Sequence, residues 1–191
     1  MTTHQPRTAQ PLRGKSQERN LRELDLVRLS DVEPESLEWL WRSRIPRSKV
    51  TLLVGDPGSG KSFASLAIAA AITQGSPLPD GGGRAVRSRV LLWNGEDGIE
   101  DTIRVRAESV GVDLQSLHVI RGTIDGAGRR ARFSLTDVAQ LVEGIAQIGN
   151  VSLLVVDPVA ALLGGVDTHR DAEIRATLQP LAELARDHAL P

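Results

Sequence analysis

The run Gly55-Asp56-Pro57-Gly58-Ser59-Gly60-Lys61-Ser62 matches the spacing G-x-x-x-x-G-K-[ST]. Such a loop cradles phosphate only where a strand feeds it and a helix leaves it, so it constrains its surroundings more than any other feature of the chain. Both flanks suit that context. Val50-Thr51-Leu52-Leu53-Val54 is apolar and predicts a buried strand, and Phe63-Ala64-Ser65-Leu66-Ala67-Ile68-Ala69-Ala70-Ala71-Ile72 predicts a helix. Glycines let backbone N–H groups converge on phosphate oxygens with no Cβ in the way, and the new helix aims its positive end at the same anion. Lys61 is expected on the β- and γ-phosphates of ATP, with the Ser62 hydroxyl on Mg²⁺. A chance glycine turn ahead of a core helix is the bland alternative, and two fitting flanks weigh against it.

Bulk composition removes several function classes. The chain has 191 residues, formal net charge −1 and no cysteine. Disulfides and thiolate metal sites are excluded, and nothing in the total charge announces a nucleic-acid or membrane partner. No apolar run reaches the roughly 20 residues of a membrane span, and Met1-Thr2-Thr3-His4-Gln5-Pro6-Arg7 lacks the apolar segment of a secretory leader. A cytoplasmic protein without a membrane partner is the expectation.

Residues 1–30 are polar and carry Arg7, Arg13, Lys15, Arg19 and Arg22, which reads as a tail, either solvated or touching DNA. Residues 31–191 read as one domain. Trp39 and Trp41 are expected to pack onto its core from a lead-in segment, with base stacking the rival use. Gly75 to Gly83 is a loop by composition, and Arg89-Val90-Leu91-Leu92-Trp93-Asn94 a second buried strand. A helix is expected over 99–110, with Glu100 and Arg104 paired at i,i+4 and Gly111 as its stop. Leu117 to Ile120 is a short strand. A loop with Arg129, Arg130 and Arg132 follows, either solvated or touching phosphate backbones. Ser134 or Thr136 can cap the next helix, where Val138, Leu141, Val142 and Ile145 recur at helical spacing. Val151-Ser152-Leu153-Leu154-Val155-Val156-Asp157 is the fourth strand. A last helix over 171–188 turns Ile174, Leu178, Leu181 and Ala185 inward, with Pro180 as a kink. Apolar strands alternating with helices predict an α/β fold, a mostly parallel sheet covered on both faces.

Asp157 closes an apolar strand, the place for an acid that holds Mg²⁺. Pro158 follows it, so the water-activating carboxylate that many ATPases place there must come from elsewhere. Parallel strands deliver their carboxyl ends to one edge, which makes Glu96, after the second strand, the candidate base and Asp97 its rival. An acidic pair favoured by a helix dipole is the bland alternative.

Trp39-Leu40-Trp41, Ile45-Pro46, the phosphate loop, Asn94-Gly95-Glu96-Asp97, Asp157-Pro158 and the later Gly164-Gly165-Val166-Asp167-Thr168-His169-Arg170-Asp171 together resemble bacterial AAA-type ATPases of the RepA-like group. These belong to the RecA/DnaB-like division of the P-loop fold. The resemblance covers about residue 37 to the end. It implies a three-layer RecA-like P-loop domain, ATP hydrolysis with Mg²⁺, Glu96 as base, DNA as partner and a homo-oligomeric ring, often hexameric. An ATP-driven switch with little hydrolysis is the alternative, and a phosphate-loop kinase a remoter one. Asp167, Thr168, His169 and Arg170 form either a capping loop or a face toward DNA or a neighbouring subunit. The resemblance also implies a further strand after the last helix, lying between the phosphate-loop strand and the Asp157 strand, and a sensor segment. Ala189-Leu190-Pro191 closes the chain before either. The expectation is a domain incomplete at its C-terminus, without the arginine or lysine supplied in trans, and weak alone in both stability and turnover.

Overall fold

A computed structural model describes residues 24–162, 171–188 and 190, with 171–177 as backbone only. Most of the basic tail, including Arg7, Arg13, Lys15, Arg19 and Arg22, lies outside the described residues, as do Asp167, Thr168, His169 and Arg170 and the side chain of Ile174. The chain divides after Glu35. In the first unit, residues 24–35 are exposed and hold one 3-10 turn, Leu29–Asp31.

The second unit begins with a small antiparallel hairpin of β1 (Trp39–Trp41) and β2 (Ile45–Pro46). Leu40, in the middle of β1, is its buried residue. Trp39 is 38 % exposed, so it does not pack on the core as its sequence neighbourhood suggests. Trp41 does pack there. Its indole N–H donates to Asp80 at 2.8 Å, and Arg44 donates to the same carboxylate at 2.6 Å. Asp80 thereby fastens the hairpin to the glycine-rich turn, and its carboxyl is held below the usual range, first by the Arg44 bond and then, against a smaller burial effect, by the Gly82 amide and Trp41.

Helix α1 (Lys61–Gln74) is alanine-rich, which suits both helix propensity and close approach to the sheet. It ends at Gly75, whose φ of 64° lets Ser76 N–H return to the Ala71 carbonyl at 2.9 Å. Then follow β3 (Arg89–Asn94), a π-wound turn (Ile99–Ile103) running into α2 (Arg104–Ser109), β4 (Leu117–Ile120), a two-residue ladder of β5 (Thr123–Ile124) with β6 (Arg130–Ala131), α3 (Val138–Ile148), β7 (Val151–Asp157) and α4 (Asp171–Asp187). The stretch 122–132, read above as a plain loop, is thus partly an antiparallel hairpin. Ser134 rather than Thr136 opens the helical run after it, in a reciprocal capping box with Asp137.

The main sheet has the order β4-β3-β7, all parallel. Its central strand is buried on both faces, and residue parity sorts the two cores. Val90 and Leu92 face Leu66, Ala69 and Ile72 of α1 and Ala107 of α2. Leu91 and Trp93 face Leu141 and Ile145 of α3 and Leu181 and Leu184 of α4. This is the three-layer α/β arrangement of a P-loop, RecA-like domain, with helices on both sides of a parallel sheet. Arg89 adds a cationic cap to α3, donating to the Ile148 carbonyl at 2.6 Å and the Gly149 carbonyl at 3.0 Å.

Two further expectations fail. The apolar run Val50 to Val54 is not a strand: it has no ladder, and Leu52 is 59 % and Val54 86 % exposed. A cavity of about 270 Å³ separates Thr51, Leu52 and Leu53 from Leu153 to Asp157 of β7, and among the described residues no strand fills it. Without a neighbour in hydrogen-bonding reach, β propensity has nothing to pair with. The Glu100–Arg104 pair is also absent. Arg104 bonds Glu108 at 2.8 Å, and Glu100 bonds Arg121 at 2.6 Å. The cause is the π turn, in which Ile103 N–H reaches the Gly98 carbonyl five residues back, so i and i+4 no longer share a face there.

Candidate functional site

Helix α1 starts directly from the glycine loop. Gly58 and Gly60 hold φ of 77° and 86°, a region other residues rarely adopt. Ser59 N–H closes a turn on the Asp56 carbonyl at 3.1 Å. Lys61 Nζ donates to the Gly55 and Asp56 carbonyls, each at 2.8 Å, so the lysine lies folded over its own loop. Ser62, the second residue of the helix, faces the sheet. It shares a narrow crevice with Asp157, Asn94, Asp97 and Arg106.

That crevice exists because of register. Asn94 and Asp157 are partners at the carboxyl ends of β3 and β7. Gly95 N–H donates to the Asp157 carbonyl at 3.1 Å, which carries the 94–97 turn across the end of β7. Gly95 has no room for a side chain: a Cβ would stand 2.6 Å from the Ala161 Cβ and 2.7 Å from the Trp93 ring. Asn94 Oδ1 accepts the amides of Glu96 at 2.9 Å and Asp97 at 2.7 Å, an Asx turn that fixes both acids.

The two acids then part company. Asp97 lines the crevice, and its carboxylate accepts from Arg106 Nη1 at 2.8 Å. Arg106 lies over the Phe63 ring at 5.7 Å, so it ties the 94–97 turn to the first turn of α1. Glu96 sits on the same turn, outside that crevice. Lys61 and Asp157 both line the larger cavity beside β7. Among the described residues no group of three or more His, Cys, Asp or Glu gathers as a metal cluster. Beside Asp97, which Arg106 engages, the crevice offers a cation the Ser62 hydroxyl and the Asp157 carboxylate. They are hard oxygen ligands, of the kind that leaves most positions of the ion to water and phosphate, and this donor set fits Mg²⁺.

Asn94, Arg106 and Arg132 hold places in this arrangement that the sequence reading did not give them. Asn94 was legible, since Asn-Gly before two acids is a turn signal. Arg106 and Arg132 were not, because nothing in linear spacing ties them to residues 95–97. Arg132 Nη2 donates to the Gly95 carbonyl at 2.9 Å. Arg129 is spent on Asp125, its amide first and then its guanidinium at 2.8 Å holding the Asp125 carboxyl below its usual range. Of the three arginines of that loop, Arg129 and Arg132 thus have separate partners, and Arg130 is exposed on β6.

A family model described as an AAA domain matches residues 17–190. No curated protein matches the chain.

Proposed function

The chain belongs to the AAA domain family of nucleotide-binding P-loop proteins, and on that premise we propose that it binds ATP with Mg²⁺ and hydrolyses it, with a RepA-like role on DNA. The observation that carries this is the register of Asn94 with Asp157, which sets the acid at the end of β7 beside Ser62 and the 94–97 turn. Gly55, Asp56, Pro57, Gly58, Ser59 and Gly60 offer backbone donors to the phosphates. Lys61 leaves the carbonyls it now holds and moves onto the phosphate oxygens. Ser62 and Asp157 hold Mg²⁺, which when bound screens the phosphate charge. Glu96 accepts the proton of the attacking water. Asp97 is the poorer candidate, because its carboxylate already accepts from Arg106 and faces the crevice rather than open water.

The tests are direct. Lys61→Ala is expected to abolish binding of a fluorescent ATP analogue. Glu96→Gln is expected to keep binding and lower phosphate release by about 10²-fold or more; unchanged release defeats the assignment. Magnesium chelation removes turnover. DNA that raises turnover supports coupling to DNA, as in a helicase or remodelling ATPase of a homo-oligomeric ring. The second reading, an ATP-driven assembly switch, is favoured by the way Lys61 is locked on its own loop, since nucleotide must open that lock. Nucleotide-dependent assembly with negligible phosphate release is its signature.

A further inference from the structure

The peptide group between Gly95 and Glu96 is held at both of its polar ends. On one side its N–H donates to Asn94 Oδ1 at 2.9 Å. On the other its carbonyl accepts from Arg132 Nη2 at 2.9 Å. A peptide group is planar, so two bonds on opposite edges fix its rotation and the position of the next Cα, and the Asp97 N–H, donating to the same Asn94 oxygen at 2.7 Å, restrains the backbone on the far side of that Cα and so the direction of its side chain. The next side chain is Glu96. We propose that Arg132 is a positioning residue for Glu96; this rests on the assignment of Glu96 as the base made above.

Arg132 is placed for this by its neighbour. Phe133 is buried at 5 % exposure and meets the Trp93 ring at 6.1 Å, tilted by 54°. Trp93 is two residues before Gly95 on β3, so the aromatic contact fastens the segment leaving the β5–β6 hairpin to the strand that carries the turn. The segment entering the hairpin is fastened too, by Arg121 Nη2 on Glu100 at 2.6 Å. Arg132 is itself exposed and lies well away in sequence, so it can bridge to the turn without being part of its core. The nearer arginine, Arg106, acts on Asp97, so the two acids of one turn have separate guanidinium partners.

Three variants of the full chain test this: Arg132→Ala, Arg132→Lys and Arg132→Ala combined with Glu96→Gln. Amide exchange by NMR on the nucleotide-free protein reads the turn, and steady-state phosphate release reads the chemistry. Arg132→Ala is expected to speed exchange of the Glu96 amide, leave the Tm in place, and lower kcat about tenfold with KM for ATP within about twofold, within the range that misplacing a reacting group can cost. Arg132→Lys, which keeps one donor, recovers part of both. The double variant is no slower than Glu96→Gln alone, because a positioning residue has no further effect once the group it aims is gone. Unchanged exchange in Arg132→Ala overturns the inference, as does faster exchange with unchanged kcat, or an equal loss of kcat in the Glu96→Gln background. If Glu96→Gln lowers turnover and Arg132→Ala does not, the inference alone falls. If Glu96→Gln turns over normally, or the parent chain releases no phosphate, the base assignment falls and takes this inference with it.

Discussion

Val50-Thr51-Leu52-Leu53-Val54-Gly55-Asp56 and Val151-Ser152-Leu153-Leu154-Val155-Val156-Asp157 are nearly the same sequence, and they have opposite fates. The second is β7, laddered to β3 along its length, with Leu153 at 7 % exposure. The first has no ladder, and its Leu53 is 55 % exposed. Strand propensity therefore does not separate them. The second run lies beside a strand already buried on both faces, and the first lies across a cavity from the nearest one. What makes a strand here is a partner within hydrogen-bonding distance, because only the ladder satisfies the backbone groups that burial would strip of water.

The strongest way to break this comparison is matched truncation. Leu153→Ala empties a site in the first core and is expected to cost about 2–4 kcal/mol of stability in urea unfolding. Leu53→Ala, on a half-exposed side chain, is expected to cost under about 1 kcal/mol. Equal losses would show that the first run is buried in solution and paired as β7 is. A charge at Val54 sharpens the contrast further. Val54→Lys, at 86 % exposure, should move stability by no more than about 0.5 kcal/mol. A larger loss would place Val54 inside a core.

The smallest lever is pH, through the hairpin that leads into the exposed run. Asp80 holds β1 through Trp41 and the turn before β2 through Arg44, and its carboxyl is depressed chiefly by the Arg44 bond. A depressed carboxyl contributes stability above the unfolded value, about 4, and that contribution is lost as pH falls through the lower folded value. Acidification below about 4 is expected to shift the Trp41 indole N–H resonance before β7 amides lose protection. Simultaneous loss of both would mean that the hairpin and the sheet melt as one.

The glycine loop, α1, β3, β4, α3, β7 and α4 could be read in advance because each is specified by its own residues: an apolar period, a cap, a stop. Asp157 was legible for the same reason, as the first polar residue after a strand's apolar run. The 94–97 turn was legible in part, through Asn94-Gly95. The π turn at Ile99–Ile103 was not, and with it went the expected Glu100–Arg104 pair, since one extra residue in a turn rotates every later side chain and leaves no compositional mark.

Local chemistry in the chain thus settled which segments can be helix or strand and which loop turns through left-handed glycines into a helix, since those follow from side-chain period and from glycine's freedom. Tertiary structure alone decided that β3 pairs with β7 so that Asn94 meets Asp157, that Arg106 takes Asp97 and Arg132 takes the Gly95 carbonyl, and that Val50 to Val54 goes unpaired. The physical reason is the same in each case. Hydrogen bonds and ion pairs depend on distance and direction in space, and those are fixed by how the layers pack, which no single stretch of sequence contains.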